Sequence, residues 1–258
     1  MLAFGDYSRC YNLLYRDKNY ASEAEYVHRL IQTYAPNAKS MLELGCGTGR
    51  YSEKFESMGY EVTGVDVSEE MLMEARKTAS PTCKFVLGDI RSIRLDKKFD
   101  VVTALFHVMS YQVTNQDVAD TLSTIKEHLK IRGLVCFDFW YGPAVLDQGP
   151  EIRIKEVEDE SIGITRIAGP IMHPRENRVD VNYKLFIRNK RAGQSQIEEL
   201  QECHRMRYFF EPEWALFFRQ AGFHLLKMEE AVSQKTPDFS TWGIMIIAEY
   251  SGSTWQDY

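Results

Sequence analysis

The sequence predicts an α/β fold, in which a mostly parallel sheet carries helices on both faces and an antiparallel sheet is inserted late in the chain. Three observations carry this expectation. Short apolar strands and amphipathic helices alternate with short connections over residues 40–139, the pattern of a parallel sheet covered on both sides. A period of two replaces that rhythm over residues 151–210, which predicts antiparallel strands. Helix and strand then return over residues 211–258.

The elements follow in order. Ser22-Glu23-Ala24-Glu25 reads as a capping box, and Val27, Leu30, Ile31 and Tyr34 after it are spaced as one helix face, closed by Pro36. Ser40 to Leu44 is an apolar strand that runs into Gly45, Gly47 and Gly49. Tyr51 to Met58 reads as a helix ended by Gly59, and Glu61 to Asp66 as the next strand. Ser68 caps the following helix, with Glu69 and Glu70 at its positive end. Cys83–Leu87, Phe99–Leu105 and Gly133–Phe139 read as strands, and Asp117–Leu129 as a helix. Val179, Val181, Tyr183, Leu185 and Ile187 alternate cleanly, as does Leu200 to Phe210. His173 to Asn177 and Lys190 to Gly193 read as turns. Pro212 opens a helix, Gly222 ends it, and Phe223–Ala231 and Trp242–Tyr250 are the last strands. Residues 1–150 are therefore expected to be a core with a helical lid, 151–210 an antiparallel insertion, and 211–258 the helix and strands that complete the core.

Bulk properties exclude several classes. The chain has 258 residues, 44% apolar and 26% charged, with a formal net charge of −6; no basic field favours nucleic acid. No apolar run approaches the roughly 20 residues of a membrane span, and Met1 to Asp6 lacks the regions of a signal peptide. Cys10, Cys46, Cys83, Cys136 and Cys203 are scattered, without a C-x-x-C pair. That argues against disulfides and structural zinc and predicts a cytoplasmic location. His28, His107, His128, His173, His204 and His224 show no metal-ligand spacing.

Glu43-Leu44-Gly45-Cys46-Gly47-Thr48-Gly49 joins the first core strand to a helix. Glycine there permits positive φ and lets a ligand approach the backbone, at the carboxyl end of the strands where open α/β sheets bind ligands. The G-x-G-x-G spacing differs from the G-x-G-x-x-G of dinucleotide loops. It resembles motif I of class I S-adenosylmethionine (SAM)-dependent methyltransferases, matching E/D-x-G-x-G-x-G at every fixed position. Asp66 at the end of the next strand, Asp89-Ile90 after the third and Phe99-Asp100 opening the fourth agree with that family in order and spacing. The resemblance implies a Rossmann-like sheet of seven strands, SAM as methyl donor and S-adenosylhomocysteine as product. It implies a cofactor surface of Glu43, Gly45, Cys46, Gly47, Gly49, Asp66, Val67, Met71, Asp89, Ile90, Leu105 and Phe106. Within it, the Asp66 carboxylate is expected to accept the ribose hydroxyls, Asp89 the adenine amine, and Ile90 to pack on the ring.

The segment Ala104 to Gln112 lacks the proline of nucleic-acid amino methyltransferases. Tyr11-Asn12-Leu13-Leu14-Tyr15, Lys18-Asn19-Tyr20, Gly88-Asp89-Ile90-Arg91, Val108-Met109-Ser110-Tyr111 and Phe137-Asp138-Phe139-Trp140 resemble N-methyltransferases of nucleotide-linked amino sugars. That group includes the dTDP-3-amino-3,6-dideoxyhexose N,N-dimethyltransferases. The resemblance implies an amino-sugar acceptor, with methylation of another small-molecule amine or hydroxyl as the alternative, and it allows a homodimer. It implies His107 and Tyr111 as the residues that orient or deprotonate the amine, against packing roles beside the cofactor. Tyr11, Tyr15 and Tyr20 form either a lid, since an aromatic face suits a sulfonium, or a helix-packing stripe; Tyr11 and Tyr20 are assigned to the cofactor. Tyr15, Ser110, Trp140 and Tyr141 are assigned to the acceptor. Of the arginines in the insertion, Arg178 is the one assigned to a pyrophosphate.

Overall fold

The computed structural model describes residues 7–190 and 197–252; most of the turn expected at Lys190 to Gly193, and Met1 to Asp6, lie outside them. The chain runs α1 (Ser8–Leu14), α2 (Tyr20–Tyr34), β1 (Ser40–Leu44), α3 (Arg50–Ser57), β2 (Glu61–Asp66), α4 (Glu69–Thr78), β3 (Lys84–Leu87) and β4 (Phe99–Ala104). It continues through α5 (Asn115–His128), β5 (Leu129–Tyr141), α6 (Gly142–Gln148), β6 (Arg153–Glu158), β7 (Ile162–His173), β8 (Arg178–Asn189) and β9 (Ile197–Phe209). It closes with α7 (Glu211–Ala221), β10 (Phe223–Glu230) and β11 (Gly243–Tyr250).

Strands β3, β2, β1, β4 and β5 lie side by side in parallel. β11 pairs antiparallel with β5, and β10 with β11, so the core has the seven strands expected, with β11 alone reversed. β6 to β9 form an antiparallel meander. It joins the core where Trp140 and Tyr141 at the end of β5 pair with Tyr208 and Phe209.

Alternate residues of the parallel strands enter opposite cores. Leu42, Leu44, Phe137 and Phe139 pack with Leu122 and Ile125 of α5 and Trp214 and Phe218 of α7. Met41, Val101, Leu134 and Cys136 pack with Tyr26 and Ile31 of α2 and Phe55 of α3. Burial on both faces is why these strands read as nearly continuous apolar runs. Helix α1 has a different partner: Tyr7, Cys10 and Leu14 pack with Val157, Ile164 and Leu185 of the insertion. The arm from α1 to α2 thus spans from the insertion to the core.

Two helix starts differ from the sequence reading. Helix α2 begins at Tyr20, because the Asn19 side chain accepts the Ser22 N–H at 3.0 Å and the expected cap Ser22 is already inside the helix. Helix α5 begins earlier than Asp117, which is instead the reciprocal partner of the Thr114 cap. Helices α1 and α6 have too few residues for a legible period. No helix among the described residues is long and apolar enough to cross a membrane.

Candidate active site

The site is built on the carboxyl ends of β1, β2, β4 and β5. Gly45, Gly47 and Gly49 have φ of +70°, +53° and +73°, a region that costs L side chains about 1–2 kcal/mol. A Cβ at Gly45 would stand 2.6 Å from Val108, and one at Gly49 2.9 Å from Phe85. A Cβ at Gly47 would meet nothing within 4 Å. The outer two glycines are required by packing, whereas Gly47 presents bare backbone to the cleft.

Asp66 holds the loop from below. Its Oδ2 accepts the Gly47 N–H at 2.8 Å and its Oδ1 the Ser68 N–H at 2.9 Å. Burial raises the pKa of this carboxyl, against the pull of those N–H donors. A carboxylate offers about four lone-pair positions, so capacity for ribose hydroxyls remains. Glu43 lies deeper. It is buried, Ser52 donates to its Oε2, and burial pushes it up to about 8. Asp89 is held below the ordinary carboxylate range by Arg91, which also bridges to Asp117. Ile90 is buried beside it and Val67 is exposed at the rim, while Met71 is buried at the start of α4.

Tyr11 and Tyr20 cover the loop with Gly45, Cys46, Gly47, Leu105 and Phe106, leaving a cavity of about 30 Å³. Thr48 pins this cover by donating to Asn12 Oδ1 at 2.8 Å. The groups fit the methyl donor: glycine backbone, an acid at the end of β2 and an aromatic roof. A ligand of that size needs a pocket of a few hundred Å³, larger than the space this cover leaves.

Beyond Leu105, Phe106 and Tyr51, a larger cavity of about 400 Å³ opens, lined also by Lys18, Glu23, His107, Asp138, Glu230 and Trp242. Phe106 and His107 both have left-handed backbone, φ +66° and +65°, a strain of about 1–3 kcal/mol each that concentrates at functional sites. Asp138 fixes His107: Oδ1 accepts its main-chain N–H at 3.0 Å, and Nδ1 stands 2.9 Å from Oδ2, off the axis of an aligned hydrogen bond. Burial works against ionisation of Asp138, but His107 and Lys18 outweigh it and hold the carboxyl low. Lys18 lies 4.3 Å from the Phe106 ring centroid and pairs with Glu23.

Tyr111 turns elsewhere. Its hydroxyl bonds His204 Nδ1 at 2.7 Å, and His204 Nε2 lies 3.0 Å from Glu202. Burial first, then Tyr183, Tyr15 and Tyr7, raise this phenol well above its usual range, so it stays neutral. Tyr15 packs on Tyr11 and Phe106 and accepts from Arg166. Trp140 is edge-on to His107, at 6.2 Å between ring centroids. Tyr141 is half-buried where β5 meets β9.

Many expected residues line neither of these cavities: Tyr15, Ser110, Tyr111, Trp140, Tyr141 and Arg178 of the acceptor set, and Glu43, Gly49, Asp66, Val67, Met71, Asp89 and Ile90 of the donor set. Ser110 is fully buried and accepts the Trp140 N–H at 3.0 Å. Arg178 is paired to Glu176 and Asp180, at 2.6 and 2.8 Å. Residues that the sequence reading did not assign are Lys18, Glu23, Glu202, His204 and Asp138. Of these, Asp138 carried a signal, since it lies near the carboxyl end of β5 and His107 follows the end of the adjacent parallel β4.

Residues 41–133 match a family model described as a methyltransferase domain. The chain is 27% identical over 226 residues to the dTDP-3-amino-3,4,6-trideoxy-alpha-D-glucopyranose N,N-dimethyltransferase of Streptomyces venezuelae, covering 87% of this chain and 92% of that one. It is 27% identical over 219 residues to the dTDP-4-amino-2,3,4,6-tetradeoxy-D-glucose N,N-dimethyltransferase of Saccharopolyspora spinosa, covering 84% and 85%. Its fold superposes on an S-adenosylmethionine-dependent methyltransferase of Clostridium acetobutylicum with a TM-score of 0.78, 19% identity and 97% and 100% coverage. Against Streptomyces venezuelae DesVI the TM-score is 0.77, with 24% identity and 94% and 98% coverage.

Proposed function

The chain is a class I SAM-dependent methyltransferase, and from that premise we propose that its acceptor is the amino group of a dTDP-linked amino sugar. One observation carries the reading: the cavity of about 400 Å³ shares Tyr51, Leu105 and Phe106 with the glycine-loop cleft and is lined by Glu23, Asp138 and Glu230. Glu23 is paired to Lys18, so Asp138 and Glu230 are the acids that suit the amine end of the acceptor rather than its pyrophosphate. The activities of the two bacterial relatives support the same acceptor class.

When bound, the donor supplies an electrophilic methyl on a sulfonium. The protein's part is positioning, which alone removes several kcal/mol of barrier in well-aligned reactions. Asp66 and the glycine loop hold the donor, with Asp89, Ile90 and Val67 around its adenosine. His107, at the wall of the cavity, takes the acceptor proton. Tyr111, neutral and anchored to His204, orients the acceptor from the insertion side. Tyr15, Trp140 and Tyr141 wall the sugar, Ser110 supports that wall, and Arg178 exchanges a carboxylate partner for the pyrophosphate. In this reading residues 1–150 and 211–258 bind the donor and also line the acceptor cavity. The enzyme acts in the cytoplasm without a nucleic-acid partner, and light scattering tests the homodimer that the resemblance allows.

The test is incubation with labelled SAM and a panel of dTDP- and UDP-linked amino sugars. Label on the sugar nitrogen is the expected result. Label found only on hydroxyl acceptors overturns the reading.

A further inference from the structure

We infer that Asp138 is the positioning residue that makes His107 the proton acceptor for the methylated amine. The inference rests on the amine reading above and goes beyond it by assigning the support of the base.

His107 is fixed from both ends. Its main-chain N–H donates to Asp138 Oδ1 at 3.0 Å, and its carbonyl accepts the Ser110 N–H at 2.9 Å. The left-handed turn at Phe106 and His107 swings the imidazole away from the run of β4 and over the end of β5. There Nδ1 comes to 2.9 Å from Asp138 Oδ2. Asp138 is only 8% exposed, so it acts on the ring across little solvent. With Nδ1 beside a carboxylate, though not aligned for a hydrogen bond to it, Nε2 is left to accept a proton, and the ring borders the cavity.

The charged and titratable groups around the ring come from each neighbouring element. Asp138 is on β5, Lys18 precedes α2, Glu23 is on α2, Tyr51 is on α3 and Glu230 ends β10. The pair of Lys18 and Glu23 is internally neutral. Asp138 is therefore the charge that sets the ring's orientation and stabilises it once protonated.

The chemistry balances without a further reagent. The acceptor arrives as an ammonium and gives one N–H proton to His107 Nε2. The freed lone pair forms the N–C bond while the S–C bond breaks, its electron pair remaining on sulfur. The imidazolium charge is offset by Asp138 until the proton leaves to water.

The test compares wild type, Asp138→Asn and His107→Gln on two acceptors at pH 7. One is the amino sugar. The other is its O-alkylhydroxylamine counterpart, whose nitrogen is neutral at that pH and needs no base. On the amino sugar, both variants are expected to lose about 100-fold or more in kcat, the usual weight of a general base, with KM for SAM changed less than threefold. On the neutral acceptor, the loss is expected to be at least about tenfold smaller than on the amino sugar. A purely structural role lowers both acceptors alike and overturns the inference, as does a fully active Asp138→Asn. The His107→Gln comparison keeps the test decisive where Asp138→Asn does not fold. Wild-type enzyme that methylates no amine overturns the acceptor reading instead.

Discussion

Gly47 and Asp66 are tied by a single hydrogen bond of 2.8 Å, from the loop's main-chain N–H to the carboxylate that ends β2. The residue expected to bind the cofactor ribose therefore also shapes the glycine loop beside it. Asp66→Ala removes both functions. A hydrogen bond to a charged group contributes about 1.5–3 kcal/mol, so SAM affinity is expected to fall roughly 10- to 100-fold or more. Calorimetric titration checks this, and unchanged affinity excludes the ribose role.

Alanine at two glycines separates packing from binding. Gly45→Ala forces a Cβ to 2.6 Å from Val108 at φ +70°. Strain and overpacking together are expected to cost about 3 kcal/mol or more, roughly 10 °C in melting temperature. Gly47→Ala has open space for its Cβ, so only the backbone strain of about 1–2 kcal/mol applies. It is expected to melt within a few degrees of wild type yet bind SAM at least about tenfold more weakly, because the methyl enters the cleft. Thermal melts and titrations on the pair give both readouts.

Glu43 makes stability fall as pH rises. Its pKa is raised by burial to about 8 in the folded protein, from an ordinary value of 4.5. The folded state holds this proton more tightly than the unfolded one. The contribution is complete below the ordinary value and is lost progressively between pH 4.5 and about 8. Its size is on the order of a few kcal/mol. Glu43→Gln, neutral throughout, is expected to lose this component. Urea unfolding of both proteins across that range is the measurement, and parallel profiles refute the assignment.

The α1–α2 arm controls access to the donor cleft, which it reduces to about 30 Å³. Its latch to the loop is the Thr48 hydroxyl on Asn12 Oδ1. Asn12→Ala is expected to raise the on- and off-rates for SAM several-fold while changing affinity less. Stopped-flow binding tests this; slower or unchanged rates mean that the arm is not the gate.

Tyr111→Phe removes the hydrogen bond that its hydroxyl makes with the buried His204 Nδ1. Loss of such a bond costs about 0.5–1.5 kcal/mol. The variant is expected to melt several degrees lower and keep its SAM affinity, with kcat lowered about tenfold through lost acceptor orientation. A fall of a thousandfold in kcat indicates instead that Tyr111 rather than His107 moves the proton.

The core strands, their parallel order and the glycine loop were legible because each rests on local signals. Leu42 and Met41 feed opposite cores, and burial on both faces writes an apolar run into the sequence. Positive φ at Gly45, Gly47 and Gly49 writes glycine. The cap of α2 was misplaced because Asn19 and Ser22 are both good caps, and only the folded backbone selects which side chain accepts the N–H.

By itself, then, the sequence determined the α/β class, the strand that ends in Asp66 and the antiparallel insertion, which follow from short-range periodicity, and its glycine motif's resemblance to a known family implied the methyl donor. The tertiary structure decided which distant side chains meet. It paired His107 with Asp138 and Tyr111 with His204, set α1 against the insertion, and engaged Arg178 with acids of its own sheet. Such contacts depend on strand register and on chain segments that lie far apart in sequence, and no periodicity along the chain encodes them.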